Sequence, residues 1–128
     1  MPKIQTSVPR GMLFIYDRNT EGIVIPEYSP KFVVNSTPTS LSIATQSEED
    51  GEVEIDLLPL SCFSLEEKSL VFEGKLMSAD GCISICFMAD EEIASISSKR
   101  GACTIKIAAD SPQFPTAVSV YVEQQDID

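Results

Sequence analysis

The feature that most constrains this chain is a two-residue alternation of apolar and polar side chains that recurs in short stretches along its length. In CTIKIA, Cys103, Ile105 and Ile107 fall on one side of an extended chain, and in AVSVYVE, Val118, Val120 and Val122 do the same. VEIDL places Val53, Ile55 and Leu57 together, LSIATQS does so with Leu41, Ile43 and Thr45, and CISICFM with Ile83, Ile85 and Phe87. MLFIYD, GIVIPEY and KFVVN are short, rich in β-branched or aromatic residues and bounded by Gly, Pro and Asn, so they read as strands or extended edges. A period of two sustained in so many segments predicts an all-β fold, an antiparallel β-sandwich or barrel-like roll with at most one short helix.

The connections follow from the turn residues. LSIATQS and VEIDL flank the run EEDGE, whose Asp50-Gly51 suits a tight turn, and this predicts a β-hairpin with an acidic tip. KSLVFEGKL, SADG and CISICFM predict a second hairpin. The segment ADEEIASISSKRG reads as a short helix or an irregular connector. Asp90, Glu91 and Glu92 suit the start of a helix dipole, Lys99 and Arg100 its end, Gly101 a stop, and Ile93 and Ile96 a buried side.

No repeat, low-complexity linker or internal boundary divides the 128 residues, so one β domain over 1–128 is expected, with 1–10 a flexible arm and 123–128 an acidic tail. The opening MPKIQTSVPRG lacks the apolar core of a signal peptide, and no stretch approaches the length of a membrane span, so a cytoplasmic protein is expected. Cys62, Cys82, Cys86 and Cys103 lie on apolar-patterned segments without close pairing and read as small buried side chains in a reducing compartment.

Twenty Asp and Glu against nine Lys and Arg give a formal charge of -11, and no histidine adjusts it near neutral pH. Such a field repels nucleic acid and anionic membrane and attracts a basic protein, although excess carboxylates also serve solubility alone.

The stretch SEEDGEVEID concentrates six carboxylates, yet its spacing does not match a calcium loop. On a strand, Glu52, Glu54 and Asp56 would form a solvent-facing row, so the stretch reads as a wet acidic hairpin available to a partner. Cys82 and Cys86 would share one strand face more than about 10 Å apart, which serves neither zinc nor a disulfide directly. Without histidine the Ser-His and Cys-His arrangements are excluded, and neither GXGXXG nor GXXXXGK(S/T) occurs. No catalytic residue, cofactor or metal ligand is therefore assigned, and the chain is not expected to be an enzyme. Of the aromatics Phe14, Tyr16, Tyr28, Phe32, Phe114 and Tyr121, most read as packing, and Tyr28 and Phe114, in Pro-bearing loops, as exposed.

The order LSIATQ and VEIDLLP, SLVFEGKL, DGCISICF and then IASISSKRGACTIKIA resembles the layout of the competence protein J family, which includes a bacterial inhibitor of a DNA-entry nuclease. Gly81 to Ile85 stand where that family has a Gly-Ile-x-Ile strand, with Cys82 set between Gly81 and Ile83. Ile96 to Ile107 stand where it has an apolar residue, a glycine and a last alternating strand. The likeness runs from about residue 10 to 108, lacks a tryptophan-bearing stretch before Leu41, and carries over no functional residue. It implies a small β-sandwich that binds and blocks a basic enzyme.

These readings converge on a non-catalytic acidic protein-binding module, an inhibitor or immunity protein for a basic nuclease or toxin, with Glu48, Glu49, Asp50, Glu52, Glu54, Tyr28 and Phe114 as its contact residues. The alternatives are a β-sandwich binding a sugar or small ligand through its loop aromatics, and a structural protein whose strand edges pair into a homo-oligomer.

Overall fold

The computed structural model describes residues 3–88 and 91–125. Its ten strands are β1 (Lys3–Thr6), β2 (Met12–Tyr16), β3 (Val34–Thr37), β4 (Ser40–Ala44), β5 (Val53–Pro59), β6 (Ser69–Ser78), β7 (Cys82–Phe87), β8 (Glu91–Ser97), β9 (Gly101–Ala109) and β10 (Ala117–Val122). They form two five-stranded sheets, in the orders β1-β5-β10-β9-β6 and β3-β4-β2-β7-β8. β5 and β10 run parallel, and the other pairs are antiparallel. The fold is the all-β sandwich that the alternation implies.

The alternating residues meet between the sheets. Val53, Ile55 and Leu57, Val118, Val120 and Val122, and Cys103, Ile105 and Ile107 face Leu13, Ile15, Leu41, Ile43, Ile83 and Ile85 in one buried cluster. Each fully buried Leu or Ile contributes about 2 kcal/mol relative to exposure, so this layer is the main source of stability.

The outer face of the first sheet is partly roofed by the segment after β5. Phe63 meets the Tyr121 ring edge-on at 5.0 Å, Lys106 Nζ lies 4.5 Å from the Phe63 ring centre, and Tyr121 donates its hydroxyl to the Ser64 carbonyl at 2.9 Å. Tyr121 is thereby buried.

The connectivity differs from the sequence reading in three places. β4 and β5 belong to different sheets, so the acidic run is a crossover between sheets rather than a hairpin tip. β6 and β7 are likewise in different sheets, and SADG is a second crossover. The expected helix at ADEEIASISSKRG is strand β8, hydrogen-bonded to β7; its Asp90 lies outside the described residues. The register shifts there: Ile85 faces Ala94 while Cys86 faces Glu92, leaving Ile93 as an inserted residue. Such a bulge brings Ile93 and Ile96, three apart, against the same core, which imitates the spacing of a helix face.

The two ends of the chain also carry structure. Residues 3–6, read as part of an arm, pair as β1 with β5. Glu123, at the start of the expected tail, bonds through its backbone to Thr104 and Lys99, at 3.0 and 2.9 Å; residues 126–128 lie outside the described residues. GIVIPEY forms no strand, and its Val24 is held beside the β3–β4 turn by Thr39 and Thr37. All four cysteines are free: Cys86 and Cys103 are buried, Cys82 is half-buried and Cys62, against expectation, is exposed. Burial, and then the charge of Glu123, push the Cys103 thiol up, so it stays protonated as a core residue.

Candidate functional site

Four connections, β1–β2, β2–β3, β4–β5 and β9–β10, meet at one end of the sandwich. The β4–β5 crossover closes a turn by Asp50 N–H donating to the Ser47 carbonyl at 3.0 Å, and the Ser47 hydroxyl reaches Asp50 Oδ2 at 3.2 Å. Gly51 follows with φ 133°, and Gln46 Nε2 binds the Glu52 carbonyl at 2.8 Å, closing the loop across its base.

This loop is fastened on both sides. Thr45 N–H donates to the Gly11 carbonyl at 2.7 Å, and Gln46 N–H to the Pro115 carbonyl at 3.1 Å. Gly11 has φ +65°, and a Cβ there would stand 2.6 Å from the Thr45 carbonyl oxygen, so the close approach of these connections requires glycine.

The β9–β10 loop is organised by Asp110. Its Oδ1 accepts from the N–H groups of Thr116 and Ala117 at 2.9 and 3.1 Å, and its Oδ2 from the Thr116 hydroxyl at 2.5 Å. Burial pushes this carboxyl up, but the bonds from Thr116 and Ala117 outweigh it and hold the group below the usual aspartate range. The loop presents Phe114 with φ 47° and 60% of its surface in solvent. A phenylalanine in the left-handed region, exposed rather than packed, costs about 1 kcal/mol or more with no gain in burial.

Between these loops lies a groove of about 420 Å³, with Arg10, Met12, Tyr28, Gln46, Asp50 and Phe114 among its walls. A smaller hollow continues from it past Tyr28 and Phe114 to Pro30, Phe32 and Pro112. Tyr28, Phe32 and Phe114 are each more than half exposed, and together they make an aromatic rim.

The structure therefore brings together three residues chosen from the sequence: Tyr28, Phe114 and Asp50 line one groove. Glu48, Glu49 and Glu52 are exposed on the same crossover. Glu54 is elsewhere. It lies on β5, half-buried and ion-paired with Lys3 at 2.9 Å, while Glu52 precedes the strand. The Glu54 bond, then the Asp56 charge, push the Lys3 ammonium up. Sequence reasoning missed Phe32, whose neighbour Pro30 was the same signal that singled out Tyr28, and Arg10, which the chain places at the groove through a left-handed turn with φ 57°.

A second cleft, of about 290 Å³, is polar and is walled by Asp17, Arg18, Asn19, Cys82, Ser84 and Glu92. Glu92 accepts from the Ser84 hydroxyl at 2.6 Å and pairs with Arg18 at 3.6 Å. Behind it Asp17, fully buried, accepts from Ser78 Oγ at 2.7 Å, Asp80 N at 2.8 Å and Asn19 N at 2.9 Å. These bonds fix the β6–β7 crossover, which is a structural role. Among the described residues no three His, Cys, Asp or Glu side chains converge as a metal site, and no helix is long and apolar enough to cross a membrane.

No protein-family model matches the sequence, and no curated protein sequence matches it. Among solved structures, the chain is similar to ComJ, inhibitor of the DNA degrading activity of NucA, from Bacillus subtilis, with a TM-score of 0.68. The superposition covers 97% of this chain and 96% of that one at 9% identity. The likeness in layout to the competence protein J family is thus a likeness in fold over nearly the whole of both chains.

Proposed function

We propose that the chain is a non-catalytic protein-binding module that blocks a basic nuclease or toxin, with the end of the sandwich bearing the acidic crossover as its contact face. The observation that carries this reading is the meeting of Tyr28, Phe114 and Asp50 on one groove, beside the exposed Glu48 and Glu49. Aromatic side chains supply contact area at low entropic cost, and a carboxylate cluster on a strongly anionic protein steers a cationic surface toward it. Likeness in fold to a nuclease inhibitor supports the choice of target class. The free thiols suit a reducing compartment.

The test is capture of partners from an extract of the source cells, at low and physiological salt, on the wild type and on a variant with Glu48, Glu49, Asp50 and Glu52 changed to Lys. A basic protein held by the wild type at both salts and lost by the folded variant is the expected result. Equal retention by both removes the crossover as the contact face.

The aromatic-lined groove also favours a second reading, a sugar or small-ligand site. Saturable binding of such a ligand that persists in high salt and is lost on Tyr28→Ala would select it.

A further inference from the structure

We propose that the groove between Tyr28 and Phe114 is a socket for an arginine side chain of the protein partner. This rests on the reading of the chain as a protein-binding module and names what its contact face grips.

The occupant follows from the walls. Tyr28 and Phe114, each more than half exposed, offer aromatic faces, and Met12 adds an apolar surface. A planar guanidinium stacks on such rings with little loss of hydration, whereas an ammonium is compact and strongly hydrated. Asp50 supplies the counter-charge: Ser47 engages its Oδ2, and among the described residues no donor reaches its Oδ1. A carboxylate accepting from guanidinium N–H groups makes the stronger, charge-assisted kind of hydrogen bond.

The sign of the field agrees. Asp50 is the carboxylate and Arg10 the cation among the walls, and the exposed Glu48 and Glu49, next to Asp50 on the crossover, tip the surroundings of the groove toward negative charge. Rigidity agrees as well. The crossover is held by backbone bonds from Thr45 to Gly11 and from Gln46 to Pro115, Asp110 fixes the turn that carries Phe114, and the Ser29 carbonyl next to Tyr28 accepts from Phe32 N–H and Asn35 Nδ2. A socket formed in advance loses little entropy when it is filled.

The experiment uses the full chain, isotope-labelled, and follows its backbone amides by NMR on titration with acetyl-Gly-Arg-Gly-amide. The same peptide with citrulline, a neutral isostere of arginine, is the control. Saturable shifts at Gly11, Met12, Tyr28 and Gln46 are expected, with the citrulline peptide at least about ten-fold weaker. Asp50→Asn should bring the arginine peptide down to the citrulline level, Tyr28→Ala and Phe114→Ala should each weaken it several-fold, and Arg10→Ala, which removes the cation from the walls, should tighten it. The amide spectrum of each variant reports its fold independently of binding.

Equal binding of the citrulline peptide, loss of binding on Arg10→Ala, shifts scattered over the acidic surface, or no shifts would each overturn the socket. Partner capture together with a silent groove would remove the socket and leave the acidic contact face standing. A groove that binds the arginine peptide as described, while no basic protein is captured, would uphold the socket and refute the inhibitor reading.

Discussion

Replacing Asp17 removes the one fully buried carboxylate in the described structure, and the cost can be worked from its bonds. It accepts from the Ser78 hydroxyl and from the N–H groups of Asn19 and Asp80, and thereby ties the end of β2 to the β6–β7 crossover. In Asp17→Ala the Ser78 hydroxyl turns to Ser98 Oγ, already 3.1 Å away, and so keeps a partner. The two N–H groups do not. Charge-assisted bonds contribute roughly 1.5 kcal/mol or more each, so with one donor rescued the loss is expected to be about 3 kcal/mol, and about 2 kcal/mol for Asp17→Asn, which keeps one acceptor.

The pH dependence has a definite sign. Burial pushes the Asp17 carboxyl up, but the bonds from Ser78, Asn19 and Asp80 outweigh it and hold the carboxyl below the ordinary value of 3.8. A group depressed in the folded state contributes stability above its unfolded pKa and loses it as pH falls through the folded one. The gap between wild type and Asp17→Asn should therefore be full near pH 7 and shrink as pH falls below about 3.8. Urea unfolding followed by circular dichroism measures it. A loss under about 1 kcal/mol at neutral pH, or a gap that widens in acid, refutes the reasoning.

Three further outcomes follow from the same structure. Gly11→Ala, which sets a Cβ 2.6 Å from a backbone oxygen at φ +65°, should cost more than about 2 kcal/mol in thermal unfolding. Tyr121→Phe should cost about 1 kcal/mol, the bond to the Ser64 carbonyl, and leave the Phe63 contact in place; an unchanged melting temperature would contradict it. Phe114→Asn relieves left-handed strain at an exposed position, so it should stabilise the fold by roughly 0.5–1 kcal/mol while weakening partner binding. A less stable variant would show that Phe114 is held for packing, and one that binds as well would remove it from the contact face.

The strands were legible because each inner face is a row of apolar residues two apart, as in Cys103, Ile105 and Ile107. Their pairing was not. Asp50-Gly51 and Asp80-Gly81 mark a chain reversal, but a reversal that returns in the same sheet and one that steps to the facing sheet carry the same residues. β8 was hidden by its bulge, which sets Ile93 and Ile96 three apart. β1 was hidden by length, since Lys3–Thr6 offers a single large apolar side chain, Ile4. At the site, Tyr28 and Phe114 were legible from the prolines near them, whereas Glu54 stands apart from the groove because β5 starts at Val53 and pairs it with Lys3. Asp17 and Arg10 left no local signal, because their roles come from contacts with crossovers distant in sequence or from a backbone turn.

The most direct test of the inhibitor reading is the rate of DNA degradation by the basic nuclease captured from source cells, measured while the purified protein is added. Activity should fall to a floor near one equivalent of wild type, and the variant with Glu48, Glu49, Asp50 and Glu52 changed to Lys should leave it intact. Degradation undiminished at a large excess of wild type, or equal inhibition by the variant, would contradict the claim that this acidic end binds and blocks such an enzyme.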